Sequence, residues 1–268
     1  MQLNGNGLPL QGLRHAVQFS SIAALCLVLA VPVAGLWMLA LVGPGAAVDP
    51  AGLRVGSIFL DQLDHNFAPI LRSLLVGLIS ATGAVIISAA LALQLWFLGG
   101  RANTWLLLIA LPAFLPPIIV AIGATISFSL LSIYGGLWPI VTAHVFIGAA
   151  LATPLLLGAL KNMAPSLIVA ANNLGVPLTR TVMAILFGWH KSTLVAAWLI
   201  TFAFSWNEFI IAWFVGGTFT TLPVALYQSL ASRFDSSTAT LALVGWMIAL
   251  ILSAAGLASF ARKELRLA

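Results

Sequence analysis

Apolar residues follow one another almost without interruption in six long stretches of the chain, and they do not alternate with polar residues. A helix needs about 20 such residues to cross the hydrocarbon core of a bilayer. Continuous runs favour a bundle of helices, because the strands of a membrane barrel alternate apolar and polar positions. The pattern predicts transmembrane helices over residues 17–42, 69–98, 104–131, 137–160, 193–217 and 238–260.

Composition supports the same interpretation. Of the 268 residues, 62% are hydrophobic and 6% are charged, whereas globular proteins carry about 25% charged residues. We therefore expect an all-α integral membrane protein with six transmembrane helices, in which residues 1–268 form a single transmembrane domain. The stretches 43–68, 132–136 and 218–237 are expected to be loops on one side, and 99–103 and 162–192 to be the connections on the other.

The basic residues gather on one side of the predicted spans. Lys and Arg in short loops are retained in the cytoplasm, so this side, with both termini, is expected to be cytoplasmic. Its basic residues are Arg14, Arg101, Lys161, Arg180, Lys191, Arg262, Lys263 and Arg266. The first apolar run exceeds the signal-peptide core of about 7 to 15 residues, which predicts an uncleaved anchor. The charge bias also explains the net charge of +5, so nucleic-acid binding is not needed.

The connection at about 162–192 is the longest on the cytoplasmic side, and it carries helix signals of its own. Pro165 suits the first turn of a helix over 166–174. Gly175 is placed to end that helix in a left-handed conformation, and Pro177 prevents its continuation. A second helix is expected over 178–186. The hairpin is interpreted either as a docking surface for another protein or as an interfacial link between two spans.

These residues resemble the cytoplasmic motif of the membrane permeases of binding-protein-dependent ABC importers, which reads Glu-Ala-Ala, three residues, then Gly. Ala170, Ala171 and Gly175 match it in place and spacing, and Leu174 fits its common Leu-Gly pair. Val169 stands where the family has Glu, and Phe187-Gly188 stands where Leu-Pro is common. The resemblance implies the type I ABC importer permease fold and a multi-pass place in the bacterial inner membrane.

Two further segments resemble the polyamine-type branch, which imports spermidine and putrescine. They are Phe204-Ser205-Trp206-Asn207-Glu208-Phe209, and Thr220-Thr221-Leu222-Pro223-Val224 followed by Tyr227. Permeases of sugar importers carry related Trp-Asn-Glu and Leu-Pro-Val sequences. The alternative is therefore an importer of carbohydrate or another small solute.

The resemblance also implies the partners of the chain. They are a second homologous permease, with a heterodimer expected, a cytoplasmic ATPase dimer, a periplasmic substrate-binding protein and the membrane lipid. The chain has no Gly-Lys-Ser/Thr phosphate loop, so it is expected to bind no cofactor itself and to leave ATP and Mg²⁺ to the ATPase subunit. The residues expected to couple to that ATPase are Val169, Ala170, Ala171, Asn172, Leu174 and Gly175.

Glu208 is the one acid inside a predicted span, where an ionised group costs about 2.5–3.5 kcal/mol or more unless it is paired or wetted. On a continuous helix, Thr201, Ser205 and Glu208 would form one polar stripe facing a polar cavity. Trp206 and Trp213 would add cation–π attraction. The other interpretation makes Glu208 a structural acid and the two Trp residues packing or interfacial anchors.

Asn207 lies about 100° off this stripe and is expected to contact a neighbouring helix or subunit; it completes the proposed substrate pathway. Four His and one Cys without ligand spacing predict no metal site. An intramembrane enzyme is disfavoured because no span carries paired acids or a Ser with His. A passive channel would have no use for the hairpin.

Overall fold

The computed structural model describes residues 20, 28, 30–40, 60–164, 166–232 and 236–264, with side chains in the last helix described for 236–252 and 254. Half of the predicted first span, 17–42, and Pro165 therefore lie outside the described residues. Within these ranges all regular structure is helical. This confirms the all-α prediction for the part of the chain described.

Eleven helices are named here in chain order, in addition to a helical turn at residues 60–65. They are α1 (Ala30–Ala40), α2 (Phe67–Leu98), α3 (Ala102–Ala110), α4 (Pro117–Leu130), α5 (Leu137–Lys161), α6 (Ser166–Asn173), α7 (Leu178–Met183), α8 (Lys191–Asn207), α9 (Ile210–Val215), α10 (Leu222–Ser232) and α11 (Ser236–Glu264). Short 3₁₀ segments cover Gly99–Arg101 and Leu111–Phe114, and a π-helical turn covers Ala184–Trp189. The helices at 60–65 and α10 occupy stretches that the sequence predicted as loops.

Two helical segments of the described chain are long and apolar enough to cross a membrane. They are Phe67–Phe114, with 48 residues, and Leu137–Lys161, with 25 residues. A third is obtained if Leu178–Trp189 and Lys191–Asn207, which meet at a bend of 72°, are counted as one span. The described chain thus contains two or three helical segments that could cross a membrane, as expected of a membrane permease.

The longer segment reverses direction near Gly99. This residue has a φ of +59°, which interrupts the helix, and Leu91 before it and Leu108 after it line the same cavity. On one straight helix these two positions would be about 25 Å apart. Helices α2 and α3 therefore form an antiparallel pair, which agrees with the turn predicted at 99–103.

Helices α2, α5 and α8 form the centre of the larger unit. A Cβ on Gly83 would lie 3.2 Å from Val145, and one on Gly148 would lie 2.9 Å from Ala84. Small residues allow helix backbones to approach closely in a membrane. The stripe of Ser73, Gly77, Ser80 and Ala84, which the sequence suggested for packing, is buried on α2.

Proline residues break the path between α3 and α4. Pro112 lies in a 3₁₀ segment, Leu115 and Pro116 are extended, and Pro117 occupies the first turn of α4, where a missing N–H costs nothing. The predicted bend in this span is confirmed. Beyond the far end of α4, Gly136 N–H donates to Gly216 O at 2.8 Å, which ties the predicted turn at 132–136 to the chain just after α9.

Contacts divide the chain into two units. The larger comprises His65–Gln228 and Gly245–Ala268, and the smaller comprises Met1–Asp64 and Ser229–Val244. In the smaller unit, Ala40 packs with Ala239 and Leu243, and the Ser229 and Thr238 hydroxyls are 2.9 Å apart.

Candidate functional site

The hairpin that joins α5 to α8 has the helix and the stop that its sequence predicts. Val176 N–H donates to Ala171 O at 3.0 Å, and Gly175 N–H donates to Asn172 O at 2.9 Å. This pair of bonds is the Schellman arrangement, which requires a left-handed residue at its bend. Gly175 supplies it with a φ of +75°, and the chain then turns into α7.

The hairpin presents apolar and small residues to the outside. Val169 is 60% exposed and Leu174 is 82% exposed, and Ala170 and Asn172 are exposed beside them. Val169, Ala170 and Leu174 together are called the docking surface below. Ala171 is half-buried and lines a cavity of about 350 Å³ under the helix. One face of α6 therefore packs inward while the docking surface lacks a partner among the described residues.

The base of the hairpin is held to the bundle. Met163 and Ile185 are buried in a cluster with Leu160 of α5 and Ala197 of α8. His190 Nε2 lies 2.8 Å from Met163 Sδ, and in the neutral ring the Nε2–H donates to this sulfur. Partial burial lowers the pKa of His190, which favours that neutral ring. A force applied to α6 would thus reach α5 and α8 directly.

The departure at Phe187-Gly188 has a structural consequence. At the position where Leu-Pro is common in the family motif, this chain has the π-helical turn Ala184–Trp189. No proline is present there to remove a donor or to clash with the preceding turn. The helix ends instead at His190, where the path bends by 72° into α8.

The expectation of one continuous fifth helix is wrong. Helix α8 ends at Asn207, Glu208 is extended with a ψ of 117°, and α9 begins at Ile210. Glu208 Oε1 accepts the N–H of Ile211 at 2.7 Å, so the carboxylate satisfies one of the free donors at the start of α9. Glu208 therefore lies at a helix break, and its side chain is largely buried.

Thr201 and Ser205 lie inside the bundle. The Thr201 hydroxyl donates to Ala197 O at 2.8 Å, and Ser205 Oγ is 2.8 Å from His144 Nδ1 on α5. Both residues are buried. The residues of the expected polar stripe therefore do not face one cavity. The Thr201 and Ser205 hydroxyls are bonded within the bundle, and Glu208 lies at the helix break.

Trp206 and Asn207 line a cavity of about 350 Å³ on the other side of α8. Trp206 is buried and stacks on Phe202, with ring centroids 6.1 Å apart. Asn207 is exposed, and its Nδ2 donates to Ala203 O at 2.8 Å. Glu208 is absent from the lining of this cavity.

Trp213 belongs to an aromatic cluster just after the break. The ring centroids of Phe209 and Tyr227 are 4.6 Å apart, those of Trp213 and Tyr227 are 5.3 Å apart, and those of Phe209 and Trp213 are 5.9 Å apart. Trp206 and Trp213 thus pack on different neighbours. Sequence reasoning missed Phe209, although Phe209 and Trp213 are four positions apart, the spacing of one helical face.

His144 is the second residue that sequence reasoning missed. It is almost fully buried, and while its Nδ1 meets Ser205, its Nε2 has no hydrogen-bond partner among the described residues. The available signal was a lone His within an apolar run, but the residue that faces it lies 61 positions away. No group of three or more potential metal ligands occurs in the described part of the chain.

Comparison with known proteins gives relatives in one class of transporter. No family model matches the chain. It is 24% identical over 162 residues to the spermidine/putrescine transport system permease protein PotC of Haemophilus influenzae, a match that covers 59% of this chain and 62% of that protein. The same comparison with PotC of Escherichia coli gives 24% over 185 residues, covering 68% and 69% of the two chains. These similarities support the resemblance to polyamine-type ABC permeases.

Proposed function

We propose that the chain is the transmembrane permease subunit of an ATP-driven ABC importer that moves polyamines, or a related organic cation, inward. In this proposal it crosses the bacterial inner membrane six times with both termini in the cytoplasm. A periplasmic binding protein delivers the substrate on the outer side. Helix movements driven from the cytoplasm open the pathway to each side in turn.

The observation that carries the proposal is the exposed hairpin. Val169 and Leu174 are widely exposed, and on the cytoplasmic side such an apolar patch would be covered by a partner protein. The Schellman turn at Gly175 gives α6 a defined end, and the small Ala170 allows close approach. A cytoplasmic ATPase dimer, which would hold ATP and Mg²⁺, fits this docking surface. Val169 stands where the family motif has Glu. In this proposal the contact with the ATPase at that position therefore depends on shape and apolar area instead of charge.

The polyamine assignment is supported by the names of the relatives and by the chemistry near Glu208. Glu208 lies at a helix break, and the next residue, Phe209, belongs to the cluster of three aromatic rings with Trp213 and Tyr227. Carboxylates pair with ammonium groups, and ring faces attract cations by about 0.5–2 kcal/mol each. In this proposal the pathway is formed with a second homologous permease, in a heterodimer, which supplies the facing side.

Uptake by the reconstituted complex tests the proposal. Proteoliposomes that contain the co-purified complex, with its binding protein outside and ATP inside, are given labelled spermidine, putrescine or a panel of sugars. We expect polyamine uptake that falls at least tenfold in Glu208→Gln, because Gln keeps an Oε1 acceptor for Ile211 while it removes the negative charge. Sugar uptake without polyamine uptake would establish the carbohydrate alternative.

A second variant separates coupling from substrate recognition. Ala170→Arg places a long charged side chain on the docking surface without touching the bundle interior. It should abolish co-purification of the ATPase and all uptake, while the variant chain still purifies as a folded protein. Retention of the ATPase by this variant would contradict the role given to the hairpin.

A further inference from the structure

An apolar groove of about 690 Å³ lies in the elbow where the hairpin meets α8. Three elements form its walls. Val182, Met183, Leu186 and Phe187 come from α7 and the π-helical turn, Ile86, Ala90 and Leu93 from α2, and Leu194, Val195 and Trp198 from α8. The volume is in the range of small-molecule sites, which are about 300–1,000 Å³.

The groove has a charged mouth and an apolar inner end. Lys191, the first residue of α8, is the one charged residue among the described residues that line it, and no acid lines it. At the inner end Trp198 Nε1 donates to Thr82 Oγ1 at 3.1 Å, so the polar groups there satisfy each other. Lys191 and Trp198 are separated by about 10 Å along the helix axis. The groove thus has a cation at one end and apolar walls toward the other.

We propose that this groove binds one acyl chain of an anionic phospholipid, with the phosphate of the lipid against Lys191. The proposal rests on charge complementarity and on position. A phospholipid in the leaflet beside the hairpin carries a negative phosphate next to a flexible acyl chain. The phosphate can therefore lie against Lys191 while the acyl chain fills the groove. Basic pockets between membrane helices on the cytoplasmic side are typical sites for anionic head groups. A helix of a second protein would fill the apolar walls but leave the cation without a counter-charge.

The location gives the lipid a mechanical role. The groove fills the inside of the 72° bend between Leu178–Trp189 and Lys191–Asn207. Any closing or opening of this elbow changes the volume that the acyl chain occupies. The bound lipid therefore stabilises one angle between the hairpin and α8.

Native mass spectrometry of the intact complex tests the proposal. The complex is released from nanodiscs that contain dioleoyl-phosphatidylglycerol and dioleoyl-phosphatidylcholine in equal amounts, and the retained lipids are counted. The unmodified protein should retain phosphatidylglycerol in preference to phosphatidylcholine. Lys191→Gln should reduce this preference about fivefold, the effect of one basic residue near an anionic membrane surface, and Lys191→Arg should restore it.

Two controls define the site. Arg180→Gln removes a basic residue of the same hairpin that lines a different cavity, and it should leave the lipid preference unchanged. Ala90→Trp fills the groove and should lower retention of both lipids. Equal retention of the two lipids by the unmodified protein would by itself overturn the proposal. Cross-linking of Ala90→Cys, in a Cys26→Ser background, to another protein chain of the complex would also overturn it, because a protein would then occupy the groove.

Discussion

Single residues in this chain act through the partner each finds in the fold. Glu208 looks from the sequence like an acid in mid-helix, but its carboxylate accepts the Ile211 N–H at a helix break. An acid that caps a helix keeps one oxygen free of that bond, so a structural role and contact with a cation are compatible. The charge, rather than the hydrogen bond, is what the Gln variant removes.

The His144–Ser205 pair gives a residue-scale prediction. Ser205→Ala removes the hydrogen bond at Nδ1, and since Nε2 already has no partner among the described residues, both ring nitrogens of a buried His are then unsatisfied. An unsatisfied buried polar group costs about 1–3 kcal/mol. We expect a lower midpoint of thermal denaturation in detergent, followed by Trp fluorescence.

Ser127→Ala is the matched control for this prediction. Its hydroxyl is exposed and bonds only to Gly123 O of its own helix, so the change in stability should stay within about 0.5 kcal/mol. Equal midpoints for the two variants would show that the His144–Ser205 contact contributes nothing to stability.

At the scale of elements, the hairpin depends on one backbone conformation. Gly175 has a φ of +75° and makes possible the two bonds that end α6. Helix α6 has eight residues, too few to be stable alone in water, where about 12–15 are needed. Its end therefore has to be defined by the Schellman turn and by packing on the bundle.

Replacing Gly175 by Ala should loosen this turn. A left-handed conformation costs a residue with a Cβ about 1 kcal/mol or more. If the turn is destabilised by that amount, hydrogen exchange at the amides of residues 175 and 176 should be roughly fivefold faster. Gly158→Ala, within α5 where an added Cβ meets nothing within 4 Å, should leave exchange in the hairpin unaltered. Unchanged protection in Gly175→Ala would show that the turn does not depend on glycine.

At the scale of the whole molecule, the larger unit is assembled around close contacts of small residues. A Cβ on Gly148 of α5 would lie 2.9 Å from Ala84 of α2 and would also collide with Thr201 of α8. Three helices therefore meet at one position where a side chain has no room. Hydrophobic burial cannot provide this specificity in lipid, where packing of this kind holds helices together.

Gly148→Val tests this contact. Overpacking costs about 1–3 kcal/mol, and here it should reduce the yield of folded protein and its thermal midpoint. Gly123→Val on α4, where an added Cβ meets nothing within 4 Å, introduces the same β-branched residue in open space. A Gly148→Val chain as stable as Gly123→Val would contradict the packing described here.

The proposed orientation of the whole molecule is tested by labelling. In a Cys26→Ser background, Arg101→Cys and Tyr134→Cys place one thiol at each end of the α3–α4 path, and both positions are exposed. A membrane-impermeant maleimide added to spheroplasts should label Tyr134→Cys at once and Arg101→Cys only after lysis. The reverse pattern would place the hairpin on the outside and exclude its coupling to a cytoplasmic ATPase.

The sequence by itself determined those features that depend on neighbours along the chain. Apolar runs of sufficient length predicted α2 and α5 to within two residues. Pro165, Gly175 and Pro177 predicted α6 and its stop, and the prolines at 112, 116 and 117 predicted the bend before α4. Each is a matter of local conformation or of burial along one helix. The six-span count and the orientation stay predictions, as does the role of the substrate-pathway residues.

Only the tertiary structure decided what depends on distant residues. Periodicity places Ser205 on the face of α8 that also carries Thr201, but His144, 61 positions away, makes that face a buried contact. The break at Glu208 cannot be read from propensity, because its side chain satisfies a free donor of α9 and could equally stand on a continuous helix. The elbow groove likewise exists only where α2 packs beside the hairpin and α8, which lie far from it in the sequence. Contacts between helices are set by shape and by the pairing of polar groups in three dimensions, and neither is contained in the pattern along the chain.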